Sequence, residues 1–162
     1  MAMTVMSWLV AIPLLGLCTG CRTMTPIALI CWYAHFGYLP VSGTWAFWAA
    51  SPIAVWVFTL LAIGEYIGDK LPKTPSRISA FPFIARLCFG GLVGRIVATA
   101  LNGSLMEGVL LGVVGAALGA FAGYHLRHSL VKRTGWPDWR VAVIEDGLTL
   151  FCSFVALGIA TG

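Results

Sequence analysis

The sequence predicts an all-α fold, a polytopic membrane helix bundle of about six apolar segments, and three observations predict it. Hydrophobic residues fill 59% of the 162 positions and charged residues only 10%, against about 45–50% and about 25% in soluble domains. Mean hydropathy is +0.91. Apolar runs close to the ~20 residues that cross a bilayer recur along the whole chain, separated by short polar breaks. These proportions exclude an ordinary soluble domain, a disordered chain and a nucleic-acid-binding domain. The ten Lys and Arg against six Asp and Glu, net +4, report where the loops lie rather than an affinity for nucleic acid. The expected surroundings are lipid, and the length suits a single domain over 1–162.

The first segment, 4–20 (TVMSWLVAIPLLGLCTG), carries Pro13. Interior Pro and Gly are tolerated in membrane helices because neighbours re-satisfy the backbone. Leu17 to Cys21 loosely evokes a lipoprotein cleavage site, but no Lys or Arg precedes the apolar run as a signal peptide requires. A retained span is expected. The second segment, 25–39 (TPIALICWYAHFGYL), is short, so the first two segments are also readable as a broken or re-entrant pair around Gly20 to Pro26. Thr25 is a good N-cap type and Pro26 suits a first helical turn.

The third segment is 45–67, the fourth 80–101, the fifth 105–125 and the sixth 141–160. Gly108, Gly112, Gly115, Gly119 and Gly123 put one small-residue stripe on the fifth, and Gly90, Gly91 and Gly94 lie on the fourth. Small residues let membrane helices approach closely, so the stripe predicts tight packing within the bundle or across a homodimer. Trp45 and Trp48, and Trp136 and Trp139, stand where aromatic belts are expected. An inverted repeat of the halves 1–78 and 79–162 has only Ala11-Ile12-Pro13-Leu14 against Ala80-Phe81-Pro82-Phe83 to support it, which is too little. The cysteines, Cys18, Cys21, Cys31, Cys88 and Cys152, are odd in number and lie in apolar stretches. They read as small packing residues, not as a disulfide framework.

The connections set the orientation. Loop 69–79 carries Lys70, Lys73 and Arg77, and loop 126–140 carries Arg127, Lys132, Arg133 and Arg140; Arg22 falls on the same side. The connections 40–44 and 102–104 contain no Lys or Arg. The positive-inside rule puts the basic loops in the cytoplasm and both termini outside.

Ionisable groups within apolar segments cost about 2.5–3.5 kcal/mol each and persist when paired or when they line a wet path. Arg95 and Glu107 flank the hairpin at Asn102-Gly103 and are expected to form a structural ion pair. On the cytoplasmic side the candidates are denser. Arg22 sits at the junction of the first two segments, beside the positive end of a helix beginning near Thr25. Glu65 and Asp69, four apart, share a helix face, as do His125 and His128 with Lys132 beyond them. Glu145 and Asp146 open the last segment, and Arg86 lies inside the fourth. The candidate ion- or substrate-binding set is therefore Arg22, Thr25, Glu65, Asp69, His125, His128, Glu145 and Asp146. No ExxH pair, GxSxG, P-loop or GxGxxG occurs, so no metal, cofactor or catalytic nucleophile is assigned.

Three motifs stand in order along the chain: Gly20-x-Arg22-x-x-x-Pro26, then Glu65-x-x-x-Asp69-Lys70-x-Pro72 after an apolar span, then Glu145-Asp146 opening the final span. In this order they resemble the DUF4126 family of small bacterial multi-pass membrane proteins of unknown function. The resemblance implies a polytopic fold in a bacterial inner membrane and marks Gly20, Arg22, Pro26, Glu65, Asp69, Lys70, Pro72, Glu145 and Asp146 as family positions. It carries no activity. Thr23-Met24-Thr25, where more apolar residues are expected, and Lys73-Thr74-Pro75, where an acidic residue is expected after the proline, depart from the pattern.

The functional expectation is an ion or small-solute transporter or channel component, dimeric. Arg22 and the start of the second segment would hold an anionic group, and the carboxylates would relay protons. The rival expectations are a structural or partner-binding membrane subunit, and a membrane enzyme or lipid-headgroup-binding protein using His125 or His128. A non-enzyme is favoured.

Overall fold

A computed structural model describes residues 2–69 and 79–162, with side chains from Ser7 onward. Lys70, Pro72, Lys73 and Arg77 lie outside the described residues. Among the described residues the fold has six α-helices and one 3-10 turn: α1 (Ala2–Cys21), α2 (Met24–His35), η1 (Phe47–Ala50), α3 (Pro52–Gly68), α4 (Ala80–Ala100), α5 (Leu105–Thr134) and α6 (Asp138–Thr161). The all-α expectation holds. Among the described residues three helices, α4, α5 and α6, are long and apolar enough to cross a membrane, while α1 from Ser7 and α3 are shorter apolar helices.

The boundaries that moved have local causes. α3 begins at Pro52 because Ser51 is its N-cap, its hydroxyl accepting from the Ala54 N–H at 3.2 Å; Trp45 and Trp48 lie before it in the connection. α5 runs past its apolar stretch to Thr134, where Gly135 adopts a left-handed φ of +66° as its C-cap. Asn102 takes φ +53° in the tight α4–α5 turn.

The glycines fix the packing. A Cβ on Gly94 would lie 2.0 Å from the Gly108 carbonyl oxygen, and one on Gly90 would lie 2.6 Å from that of Gly112. α4 and α5 are thus antiparallel and nearly backbone to backbone. On another side of α5, Gly16 meets Gly112 and Gly115, and Gly20 meets Ala116, Gly119 and Ala120. The residue numbers rise together, so α1 runs parallel to α5. From Gly108 to Gly119 the stripe therefore packs inside the chain, against α1 and α4.

α2 runs back along α3: Trp32 Nε1 donates to Thr59 Oγ1 at 3.1 Å, and His35 Nδ1 lies 2.9 Å from the Ala50 carbonyl. At 12 residues it is about 18 Å long at ~1.5 Å per residue, too short for a ~30 Å hydrocarbon core. The broken-pair reading of the first two segments fits this geometry better than two full spans. The apolar core, with Ile12, Leu15, Ile27, Ile30, Val93, Val97 and Leu157 fully buried, lies among α1, α2, α4 and α6. The start of α2, beside Arg22, borders this core.

Candidate functional site

α1 ends at Cys21 and α2 begins at Met24, so two residues, Arg22 and Thr23, make the whole connection. Such a break exposes terminal carbonyls on one side and terminal N–H groups on the other, all of which need partners. Charged side chains from other helices supply them. The Arg86 Nε–H of α4 donates to the Gly20 carbonyl at 3.0 Å, and Nη1 donates to Pro82 at 3.2 Å. The Glu65 carboxylate of α3 accepts from both sides of the α2 start, from the Thr23 N–H at 2.9 Å and the Met24 N–H at 2.8 Å. A cation thus meets the negative helix end and an anion the positive one, both signs that favour the arrangement. Thr25 is not the cap: α2 starts one residue before it, and its hydroxyl shares a 2.7 Å hydrogen bond with the Tyr66 hydroxyl.

Between these caps Arg22 is 0% exposed. Its Nη1 stands 2.6 Å from Asp69 Oδ2, just past the end of α3, and its Nη2 stands 2.5 Å from Asp146 Oδ1, inside α6. The carboxylates are 13% exposed, so they border the solvent side of the junction. The Tyr66 ring lies under the guanidinium, 5.7 Å from centroid to Cζ. The contacts to the two aspartates are charge contacts: none of the three guanidinium nitrogens makes an aligned hydrogen bond, and Nε faces no acceptor among the described residues.

Asp69 joins this buried pair to an outer one. Its Oδ2 also accepts from Arg127 Nη1 of α5 at 2.7 Å, and Arg127 holds Asp138 through Nε at 2.9 Å and Nη2 at 2.5 Å. Glu145 approaches the same guanidinium at 4.0 Å. Two arginines and four carboxylates, drawn from α3, α5, α6 and the α1–α2 break, form one chain of charge from the interior to the exposed Asp138.

Of the expected set, the structure brings Arg22, Thr25, Glu65, Asp69, Glu145 and Asp146 together. His125 and His128 stay outside. Both are exposed on α5, ring against ring with Tyr124 at 5.4 and 6.3 Å between centroids. They flank Arg127 in sequence, but only Arg127 turns inward, since neighbouring positions on a helix project about 100° apart. No three His, Cys, Asp or Glu side chains among the described residues converge as a metal site. Arg95 does not pair with Glu107 among the described ion pairs. Its guanidinium lies 4.7 Å from the Trp45 ring, whose Nε1–H donates to Thr99 Oγ1 at 2.8 Å. The α2–α3 connection thus delivers an aromatic ring to the place where a carboxylate was expected.

Sequence reasoning omitted Tyr66, Arg86, Arg127 and Asp138 from the site. Arg86 was visible as a charge within an apolar segment. Tyr66 lay between two selected acids. Arg127 and Asp138 read as ordinary loop charges because α5 and α6 were expected to be shorter.

No curated protein and no solved structure matches the chain. A family model described as a domain of unknown function, DUF4126, matches residues 9–161, from within α1 to the end of α6 and so across all three motifs and the whole junction; the chain belongs to that family.

Proposed function

We propose that this protein is a small multi-pass transporter or channel component, and that the species it carries is a proton or a small cation. The observation that supports this most is the state of Arg22. A fully buried guanidinium has five N–H donors and here makes charge contacts without aligned hydrogen bonds. Donor capacity at depth is what an ordered water would use, and a proton would pass through such water to the Asp69 and Asp146 carboxylates, since the guanidinium itself stays protonated. Asp69 and Asp146 border it on the wetter side, and the Arg127–Asp138 pair continues the polar line outward. An anionic cargo fits less well than the sequence alone suggests, because Glu65 already occupies the positive end of α2 and two aspartates already neutralise Arg22. The chain sits in this reading in a bacterial inner membrane with loops 69–79 and 126–140 in the cytoplasm.

The test is flux in proteoliposomes with a pH-sensitive dye or cation-sensitive dyes inside. Wild-type protein is expected to dissipate an imposed proton or cation gradient, and Asp146→Asn to slow it by an order of magnitude or more while the helical content stays unchanged. Tight vesicles that hold every imposed gradient with wild-type protein present overturn the proposal.

One observation favours a second reading, a structural or partner-binding subunit. Glu65 gives both oxygens to backbone N–H groups, which is the work of a brace. That reading expects Glu65→Gln to change stability or assembly with no effect on flux.

A further inference from the structure

The charges of the junction look inward, and three cations close by do not. Lys132 and Arg133 lie in the last turn of α5, and Arg140 in the first turn of α6; all three are exposed. None has a carboxylate partner among the described residues, and the adjacent Asp138 is held by Arg127. Trp136 and Trp139 are exposed at the same corner, and the Arg140 guanidinium lies 5.4 Å from the Trp139 ring centroid.

The depth of this corner follows from the length of α5, which is 30 residues. Leu105 to Tyr124 is its apolar part and spans about 30 Å at ~1.5 Å per residue, the thickness of the hydrocarbon. The remaining turns carry the corner about 15 Å further by the same rise. The headgroup layer reaches about 5–7 Å beyond the hydrocarbon on each side, so the corner stands just outside it, where long Lys and Arg side chains extend back to the phosphates and an anionic surface attracts them within a Debye length of about 8 Å. Cations flanked by amphipathic rings there and without a counter-ion among the described residues are offered one by acidic phospholipids.

We infer that the α5–α6 corner binds the headgroups of anionic phospholipids, with Lys132, Arg133 and Arg140 contacting phosphate and Trp136 and Trp139 seated at the interface. This inference is independent of any transport by the junction.

The experiment is competition between phosphatidylglycerol and phosphatidylcholine for the detergent-solubilised protein, read by native mass spectrometry. Wild-type protein is expected to retain phosphatidylglycerol preferentially, and K132Q/R133Q/R140Q to lose about tenfold or more of that preference, since each basic group near an anionic surface contributes roughly a factor of five. Circular dichroism and the thermal midpoint of the triple variant are expected to match wild type, because the three side chains are exposed. The single variants, each expected to weaken the preference in part, serve if the triple variant fails to fold. Arg95→Gln, which removes a cation on the opposite side of the bundle, is expected to change nothing. No preference in wild type, an equal preference in the triple variant, or complete displacement of the lipid by inorganic phosphate each overturn the inference.

Discussion

Arg22 and Arg127 share one carboxylate oxygen, yet their removal has different consequences. Arg22 is completely enclosed, held between Asp69 and Asp146. Removing one partner of a buried pair strands the other and costs about 3–5 kcal/mol. Arg22→Gln is therefore expected to lower the unfolding midpoint in detergent sharply. Arg127→Gln is expected to lower it much less, since its bidentate partner Asp138 is 61% exposed and exposed pairs contribute about 0–1 kcal/mol. Equal losses would contradict the difference in enclosure. Glu65→Gln is expected to cost about 1 kcal/mol, because an amide oxygen still accepts one N–H but the full charge at the helix start is gone. Thermal unfolding of the three variants side by side checks the order.

At the scale of the element, close approach decides which glycines matter. A Cβ on Gly119 would stand 2.0 Å from the Leu17 carbonyl oxygen, whereas one on Gly158 of α6 meets nothing within 4 Å. Gly119→Ala is expected to force α1 from α5 and shift the Arg22 end of α1 with it. Gly158→Ala is expected to be neutral or to stabilise slightly, as alanine is favoured over glycine within a helix by roughly 0.5–1 kcal/mol. Unfolding midpoints of both variants check this contrast. The elements themselves were legible because long apolar runs and small-residue spacing depend on local sequence: α4 over Ala80–Ala100 matches its expectation within a residue. What local pattern could not supply is which helix receives a charge. The Thr25 cap was a sound local expectation, overridden by a Glu65 side chain 41 residues away from Met24. The Arg95–Glu107 pair was likewise overridden by a tryptophan from a distant connection. His125 and His128 had the right spacing for a shared face, but which face turns inward is settled by packing, and α5 turns Arg127.

For the whole molecule, alternation of direction follows from the packing: α1 parallel to α5, α4 antiparallel to α5, and α2 returning along α3. The connections 36–51 and 101–104 then share one end, and the Arg22 break and the α5–α6 corner share the other. In a background with the native cysteines replaced, Ser42→Cys and Ser129→Cys, both exposed positions, are expected to react with a membrane-impermeant thiol reagent from opposite sides of intact vesicles. Labelling of both from one side would contradict the arrangement. The charge asymmetry of the loops was legible from composition; the depth of α2 was not, since its shortness shows only once its ends are known.

The two-residue break after α1 has a consequence for biosynthesis. Arg22 leaves the ribosome before Asp69, just past the end of α3, and well before Asp146 of α6. A nascent chain that has delivered α1 and α2 to the insertion machinery therefore carries an uncompensated guanidinium and an uncapped helix start until α3 arrives. The second carboxylate contact of Arg22 waits for α6. Maturation of the N-terminal hairpin thus waits on helices made later, and chains terminated before α6 are expected to be substrates for membrane quality-control proteolysis.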